Sequence, residues 1–151
     1  MGQLSAQLSN PDCVAAFLPV EKQAYDGSGW SAINGRALRG DNGGTSAIEA
    51  VVAFPSRTAA QEFFTTMVGQ WQRCADQTLT VDYPDGTSSN WRLGATDQHD
   101  ATLSMTQDSV DSTDHWSCQR ALRVSNNVAI DTLVNIEPLP RQEDGGQEEK
   151  P

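Results

Sequence analysis

The sequence is short of positive charge. Ten Lys and Arg stand against twenty Asp and Glu, for a formal net charge of −10 at pH 7. Phosphate backbones and anionic lipid surfaces bind proteins through clustered cations. Here Arg36, Arg39, Arg57, Arg73, Arg92, Arg120 and Arg123 are dispersed along the chain. Nucleic acid and anionic membranes are therefore not expected as partners, and the acidity reads as solubility. Long apolar runs are also missing. No stretch approaches the roughly 20 apolar residues of a membrane span. The opening Met1-Gly2-Gln3-Leu4-Ser5-Ala6-Gln7-Leu8 has no basic region before an apolar core, so it is not read as a signal peptide, and no anchoring cysteine lies near it. The chain as written carries no address: it is either cytoplasmic or a piece of something longer.

Catalytic vocabulary is equally thin. There are two histidines, His99 and His115, each in an Asp-rich stretch. Transition-metal sites usually need three or four ligands set in place, so solvated loops are the expectation and no metal is assigned. Asp108, Asp111 and Asp114 fall three apart, whereas a calcium loop prefers closer oxygens and a Gly-forced turn. No G-x-S-x-G elbow, Walker motif or G-x-G-x-x-G occurs. Gly40-Asp41-Asn42-Gly43-Gly44 is glycine-rich, but a strand follows it, not the helix N-terminus that helps hold a phosphate. No catalytic residue and no cofactor is expected. The cysteines are Cys13, Cys74 and Cys118. None is close to another, which excludes a zinc knuckle or a CxxC motif. One pair and one orphan is the simplest arrangement. Cys13 and Cys74 fall on the apolar faces of two predicted helices, where a structural disulfide fits better than a nucleophile. Closing 61 positions of chain, such a bridge contributes roughly 2–4 kcal/mol. Cys118 reads as a buried structural thiol.

What is present suffices for one domain. The chain has 151 residues, 37% apolar, with four Trp and four Phe, which supports a single modest core. Asn10-Pro11-Asp12 predicts a short helix start with Cys13, Val14, Phe17 and Leu18 as its stripe. Weak alternation predicts a strand over 30–39. Ile48, Ala50, Val52 and Phe54 predict its hairpin partner. Ala60, Phe63, Phe64, Met67, Trp71 and Cys74 recur at helical spacing over 57–75, with Thr58 and Ser56 competing for the cap. Strands follow at 79–83, 90–93 and 102–107, with 94–101 and 108–114 read as loops. Trp116, Cys118, Leu122 and Val124 share one parity, interrupted by Arg120. Asn126-Asn127 suits a two-residue turn, and Val128, Ile130, Thr132, Val134 and Ile136 follow at period two. The order α-β-β-α-β-β-β-β-β predicts an α+β domain: a meandering antiparallel sheet with helices packed on one face. The domain is expected over 9–137, and 138–151 as a disordered acidic tail.

Helical Trp71 reads as core. Trp30, Trp91 and Trp116, on strands, either join the core or line an aromatic cleft for a ligand. Several segments together resemble one family: Asn10-Pro11-Asp12-Cys13, Gly27-Ser28-Gly29-Trp30, Ala50-Val51-Val52-Ala53-Phe54-Pro55, Gln70-Trp71-Gln72-Arg73-Cys74, and Trp116-Ser117-Cys118-Gln119-Arg120-Ala121-Leu122 running into Asn126-Asn127-Val128. Their order across about 9–134 is similar to the PknH-type extracellular sensor domain of mycobacterial kinases and related lipoproteins. The resemblance implies an extracytoplasmic location, an α+β fold, no catalysis, and a cleft for an unknown small molecule or cell-envelope ligand. It implies that Cys13 pairs with Cys74. In the family the cysteine matching Cys118 usually pairs with a fourth, near Asn135 here, whose absence leaves Cys118 free. Relative to the family the chain looks truncated at both ends, and an incomplete sheet face invites self-association. The expected function is a non-catalytic sensor or ligand-binding module. The alternative is a degenerate structural or protein-interaction relative lacking ligand binding, and a small hydrolase using His99 or His115 comes last.

Overall fold

The structure, a computed structural model, describes residues 1–40, 45–111 and 116–136. The tail over 138–151, most of the Gly40–Gly44 turn, and Asp114 with His115 lie outside the described residues. Strand outweighs helix, 50% against 23%, and the sheet curls into a half-barrel. The class is α+β.

Asn10 caps its helix as expected, accepting from the Asp12 N–H at 3.3 Å. The helix is shorter than predicted. A 3-10 turn, Pro11–Cys13, runs into a single turn, α1 (Val14–Phe17). Leu18 is already extended, at φ −133°, because the residue before a proline is pushed out of the helical region. A second one-turn helix, α2 (Lys22–Tyr25), and a two-residue strand, β1 (Gln7–Leu8), were not predicted. Both are too short for periodicity to reveal. The long helix, α3 (Arg57–Cys74), forms where its pattern places it, and Ser56 wins the cap, its Oγ accepting from the Ala59 N–H at 3.0 Å. Phe63, Phe64, Met67 and Trp71 of α3 are buried, each contributing about 1.5–3 kcal/mol through apolar burial.

The remaining strands are β2 (Ala32–Arg39), β3 (Thr45–Ala53), β4 (Thr78–Asp82), β5 (Ser88–His99), β6 (Thr102–Ser109), β7 (Ser117–Ser125) and β8 (Val128–Ile136). They form one antiparallel sheet in the order β1-β4-β5-β6-β7-β8-β3-β2. Two sequence expectations are corrected. Residues 94–99, and Asp108 with Ser109, are strand, not loop. The register slips between Leu93 and Thr96, and such a bulge breaks the alternation that would have marked the strand. In β8 the apolar series Val128, Ile130, Thr132, Val134 is not the buried one. Ala129, Asp131 and Leu133 are buried, whereas Ile130 is exposed. The register Val124↔Ala129, Leu122↔Asp131, Arg120↔Leu133 sets this face. The turn itself is as expected, with Asn126 at φ 51°.

Candidate functional site

Arg120 breaks an apolar parity on β7, and a buried guanidinium needs partners. It finds them in three directions. Across the hairpin it pairs with Asp131 through Nη1 and Oδ1, both side chains almost fully buried. Its Nη2 donates to the carbonyls of Ala15 at 2.7 Å and Leu18 at 3.0 Å. Its guanidinium carbon lies 4.7 Å from the centre of the Trp71 ring on α3, a cation–π contact. On the neighbouring strand, Gln107 donates through Nε2 to the carbonyls of Ala16 at 3.1 Å and Phe17 at 2.8 Å. The last four carbonyls of a helix have no partner within it. In α1, only four residues long, the sheet side chains Arg120 and Gln107 take up the carbonyls from Ala15 to Leu18.

The same cluster fixes the chain beyond α1. Oδ2 of Asp131 accepts from the Tyr25 hydroxyl at 2.7 Å and from the Val20 N–H at 2.8 Å. Val20 sits at φ 48°, a region that costs a β-branched residue about 1–3 kcal/mol. Burial, and then the charge and hydrogen bond of Asp131, push the Tyr25 hydroxyl well above the ordinary tyrosine range. Tyr25 therefore stays a neutral donor. Its ring stacks on Phe63, with centroids 4.4 Å apart.

Next to this cluster, Glu21 is buried, and its Oε1 accepts from the Leu4 N–H at 2.8 Å. It lines a cavity of about 610 Å³ with Leu4, Leu8, Pro11, Val14 and Asp26. Asp26 is paired with Lys22 at 3.0 Å, so Glu21 is the carboxyl of this wall without a cationic side chain in contact among the described residues. Burial pushes its carboxyl above the ordinary range, opposed by the Leu4 N–H and the charge of Arg120. A carboxyl with a raised folded-state pKa holds its proton more tightly folded than unfolded. Its contribution to stability is full below the ordinary glutamate pKa of about 4.3 and is lost as pH rises through the raised value. Glu21→Gln keeps an acceptor for Leu4 and removes the charge. The variant should gain on the wild type as pH rises from 4 to 7, read by urea unfolding at each pH. A constant difference would show that Glu21 titrates normally.

The three tryptophans expected on strands do not converge, and only Trp91 lies within one: Trp30 and Trp116 stand just before β2 and β7. Trp91 pairs with Ser109, whose N–H bonds the Trp116 carbonyl at 2.9 Å, so Trp91 and Trp116 lie two strands apart at one end of the sheet. Trp91 meets Phe17 edge-on, with centroids 6.4 Å apart. Trp30 lies at the other end, beside Ser31, which bonds the last residue of β3. All three are half-buried, and Trp30 and Trp91 pack on the core. His99 ends β5, exposed, 3.7 Å from Asp100. Asp108 accepts from the Ser117 hydroxyl, and Asp111 from the backbone and side chain of Asn90. Among the described residues no group of three or more His, Cys, Asp or Glu is placed to hold a metal. Cys13 is bonded to Cys74, and Cys118 is a buried free thiol whose pKa burial raises to about 11. Of the cluster, only Arg120 had a sequence signal, as the exception in an apolar row. Asp131 and Glu21 had none.

Comparison with known proteins gives this arrangement a family. The chain is 35% identical over 126 residues to the serine/threonine-protein kinase PknH of Mycobacterium tuberculosis and to that of Mycobacterium bovis. The match covers 82% of this chain and about a fifth of each kinase. The crystal structure of the extracellular domain of PknH from Mycobacterium tuberculosis superposes with a TM-score of 0.82 at 31% identity, over 93% of this chain and 72% of that one. With the sequence model of that domain matching residues 2–139, the chain belongs to the PknH-like extracellular domain family.

Proposed function

We propose that this chain is a non-catalytic, extracytoplasmic sensor module that binds a small molecule or cell-envelope ligand. The observation that carries the reading is family membership: the chain matches the extracellular part of a kinase, not its catalytic part. The disulfide supports a location outside the reducing cytoplasm. In this reading residues 9–137 are the sensing unit, and the helices cover the one sheet face that carries Gln107 and Arg120. The cavity beside Glu21 is the recess we assign to the ligand, with Leu4, Leu8 and Val14 as apolar contacts among polar walls of Gln3, Gln7, Lys22 and Gln23, and one buried carboxyl to orient it. Trp91 and Trp116 offer a secondary aromatic ledge, and Trp30, half-buried at the other end of the sheet, stands apart from it.

The test is a thermal-shift screen of fractionated cell-envelope extract, with mass spectrometry of whatever is retained. A saturable rise in Tm is expected for the wild type, and none for Ala6→Phe, which fills the cavity from its wall. If no fraction shifts the wild type, the ligand-binding reading gives way to a structural or interaction role. If wild type and variant shift equally, the ligand sits elsewhere, with the Trp91–Trp116 ledge next in line.

A further inference from the structure

The sheet ends on one side in an open strand. β2 pairs with β3 alone, and among the described residues nothing occupies its other edge. Seven of its eight residues are exposed. Proteins usually guard such an edge with charged side chains, proline, a bulge, inward-pointing charge or brevity, and of these β2 carries only the charges of Arg36 and Arg39. Ala32–Arg39 contains no proline and pairs with β3 in continuous register, without a bulge. Four of the six large apolar side chains that are exposed belong to this end of the sheet: Leu38, Ile48, Val51 and Ile130.

We propose that this edge is a homodimer interface in which β2 pairs antiparallel with β2 of a second copy, about a two-fold axis through Gly35. The backbone sets which registers are open. Gly40 donates its N–H to the Thr45 carbonyl. Alternation along an antiparallel ladder then turns the even-numbered residues of β2 towards β3. Ile33, Gly35, Ala37 and Arg39 direct their N–H and C=O groups outwards. Two self-pairings engage these groups and use nearly the whole strand. One is centred on Arg36 and sets it directly opposite its own copy, a like-charge contact that destabilises a sheet. The other is centred on Gly35. It sets Asn34 opposite Arg36, Ala32 opposite Leu38, and Ile33 opposite Ala37. Each Arg36 keeps its bond to Glu49 of its own chain at 3.3 Å. A carbonyl of Asn34 then faces the arginine, Leu38 is covered, and Gly35 at the axis presents no side chain to the crossing. The two sheets become continuous, with corresponding faces on the same side. A second copy suits the edge better than a foreign strand because the edge is complementary to itself in this register.

Sedimentation equilibrium over a concentration series, with pairwise cysteine cross-linking, tests the interface. The wild type should shift from one chain to two as concentration rises. Ala37→Pro removes an outward N–H at an exposed edge position that tolerates proline. It should stay monomeric, at least tenfold weaker in association, with near-UV circular dichroism unchanged. The register is read in the wild-type background by mixing Asn34→Cys chains with Arg36→Cys chains. Opposed non-bonded pairs lie within disulfide reach. The mixture should cross-link at least tenfold faster than either variant alone, and this arm holds even if the proline variant fails to fold. A monomer at every concentration, with no preferential cross-link in the mixture, overturns the proposal and leaves the edge to the chain's own C-terminal residues or a foreign strand. A dimer that survives Ala37→Pro, again without the preferential cross-link, overturns it in favour of another face.

Discussion

Replacing Arg120 by Met should cost this domain about 3–5 kcal/mol, the range measured when one partner of a buried ion pair is removed. Three losses coincide in the variant. The Asp131 carboxyl, almost fully buried, is left without its cation. The carbonyls of Ala15 and Leu18 lose their donors. The Trp71 ring loses the guanidinium above it. Domains of this size are stable by only about 5–15 kcal/mol, so the loss removes a large part of what holds the fold. Urea unfolding followed by near-UV circular dichroism measures it. Arg120→Lys should fall between the two. It keeps a positive charge but lacks the planar fork that reaches carboxylate and carbonyls together. A loss below 1 kcal/mol for Arg120→Met would show that the pair is dispensable.

Replacing both Cys13 and Cys74 by Ala should cost about 4 kcal/mol. The bridge closes 61 residues, and in the chain-entropy account a loop of that length restricts the unfolded state by about this much. For a chain of this size that corresponds to a fall in Tm of about 8–16 °C, measurable by calorimetry and reproduced by adding a reductant to the wild type. Cys13 ends the 3-10 turn just before α1, and the carbonyls at the end of α1 are those that Arg120 and Gln107 bind. The bridge and the buried pair thus fasten the same short segment from opposite sides. Their losses should not add, because contacts sharing one element couple. With the segment released by either change, the second change finds less left to remove.

Much of this arrangement was legible because its cause is local. The stripe of α3 repeats over five turns, and burial follows it residue by residue. The turn at Asn126 needs only a residue that tolerates positive φ. Where the cause lies elsewhere in the chain, the reading fails. In β8 the strongest apolar alternation marks the wrong face, because the register with β7 buries Ala129, Asp131 and Leu133, where Asp131 meets Arg120. In β5 a bulge after Leu93 hides six residues of strand behind a change of parity. At the site, Arg120 stood out as a charge among apolar neighbours, yet its partners on α1 are backbone carbonyls, which carry no sequence signal. The tryptophans misled for the opposite reason. Aromatic residues in strands and just before them look alike in sequence, and only the sheet order separates Trp30 from Trp91 and Trp116.

The position of β8 constrains how the chain reaches its fold. Among the described strands the last in sequence lies between β7 and β3, and it joins Ala53 to Val128 across 75 residues of chain. Hairpin β2–β3 can form early by itself, but it has no attachment to the rest of the sheet until the final strand is delivered. Pairings of such long separation slow folding. The Cys13–Cys74 link needs nothing beyond residue 74, so it is within reach of oxidation while the sheet is still open. Both cysteines are thus synthesised 54 residues before the strand that joins the two parts of the sheet begins.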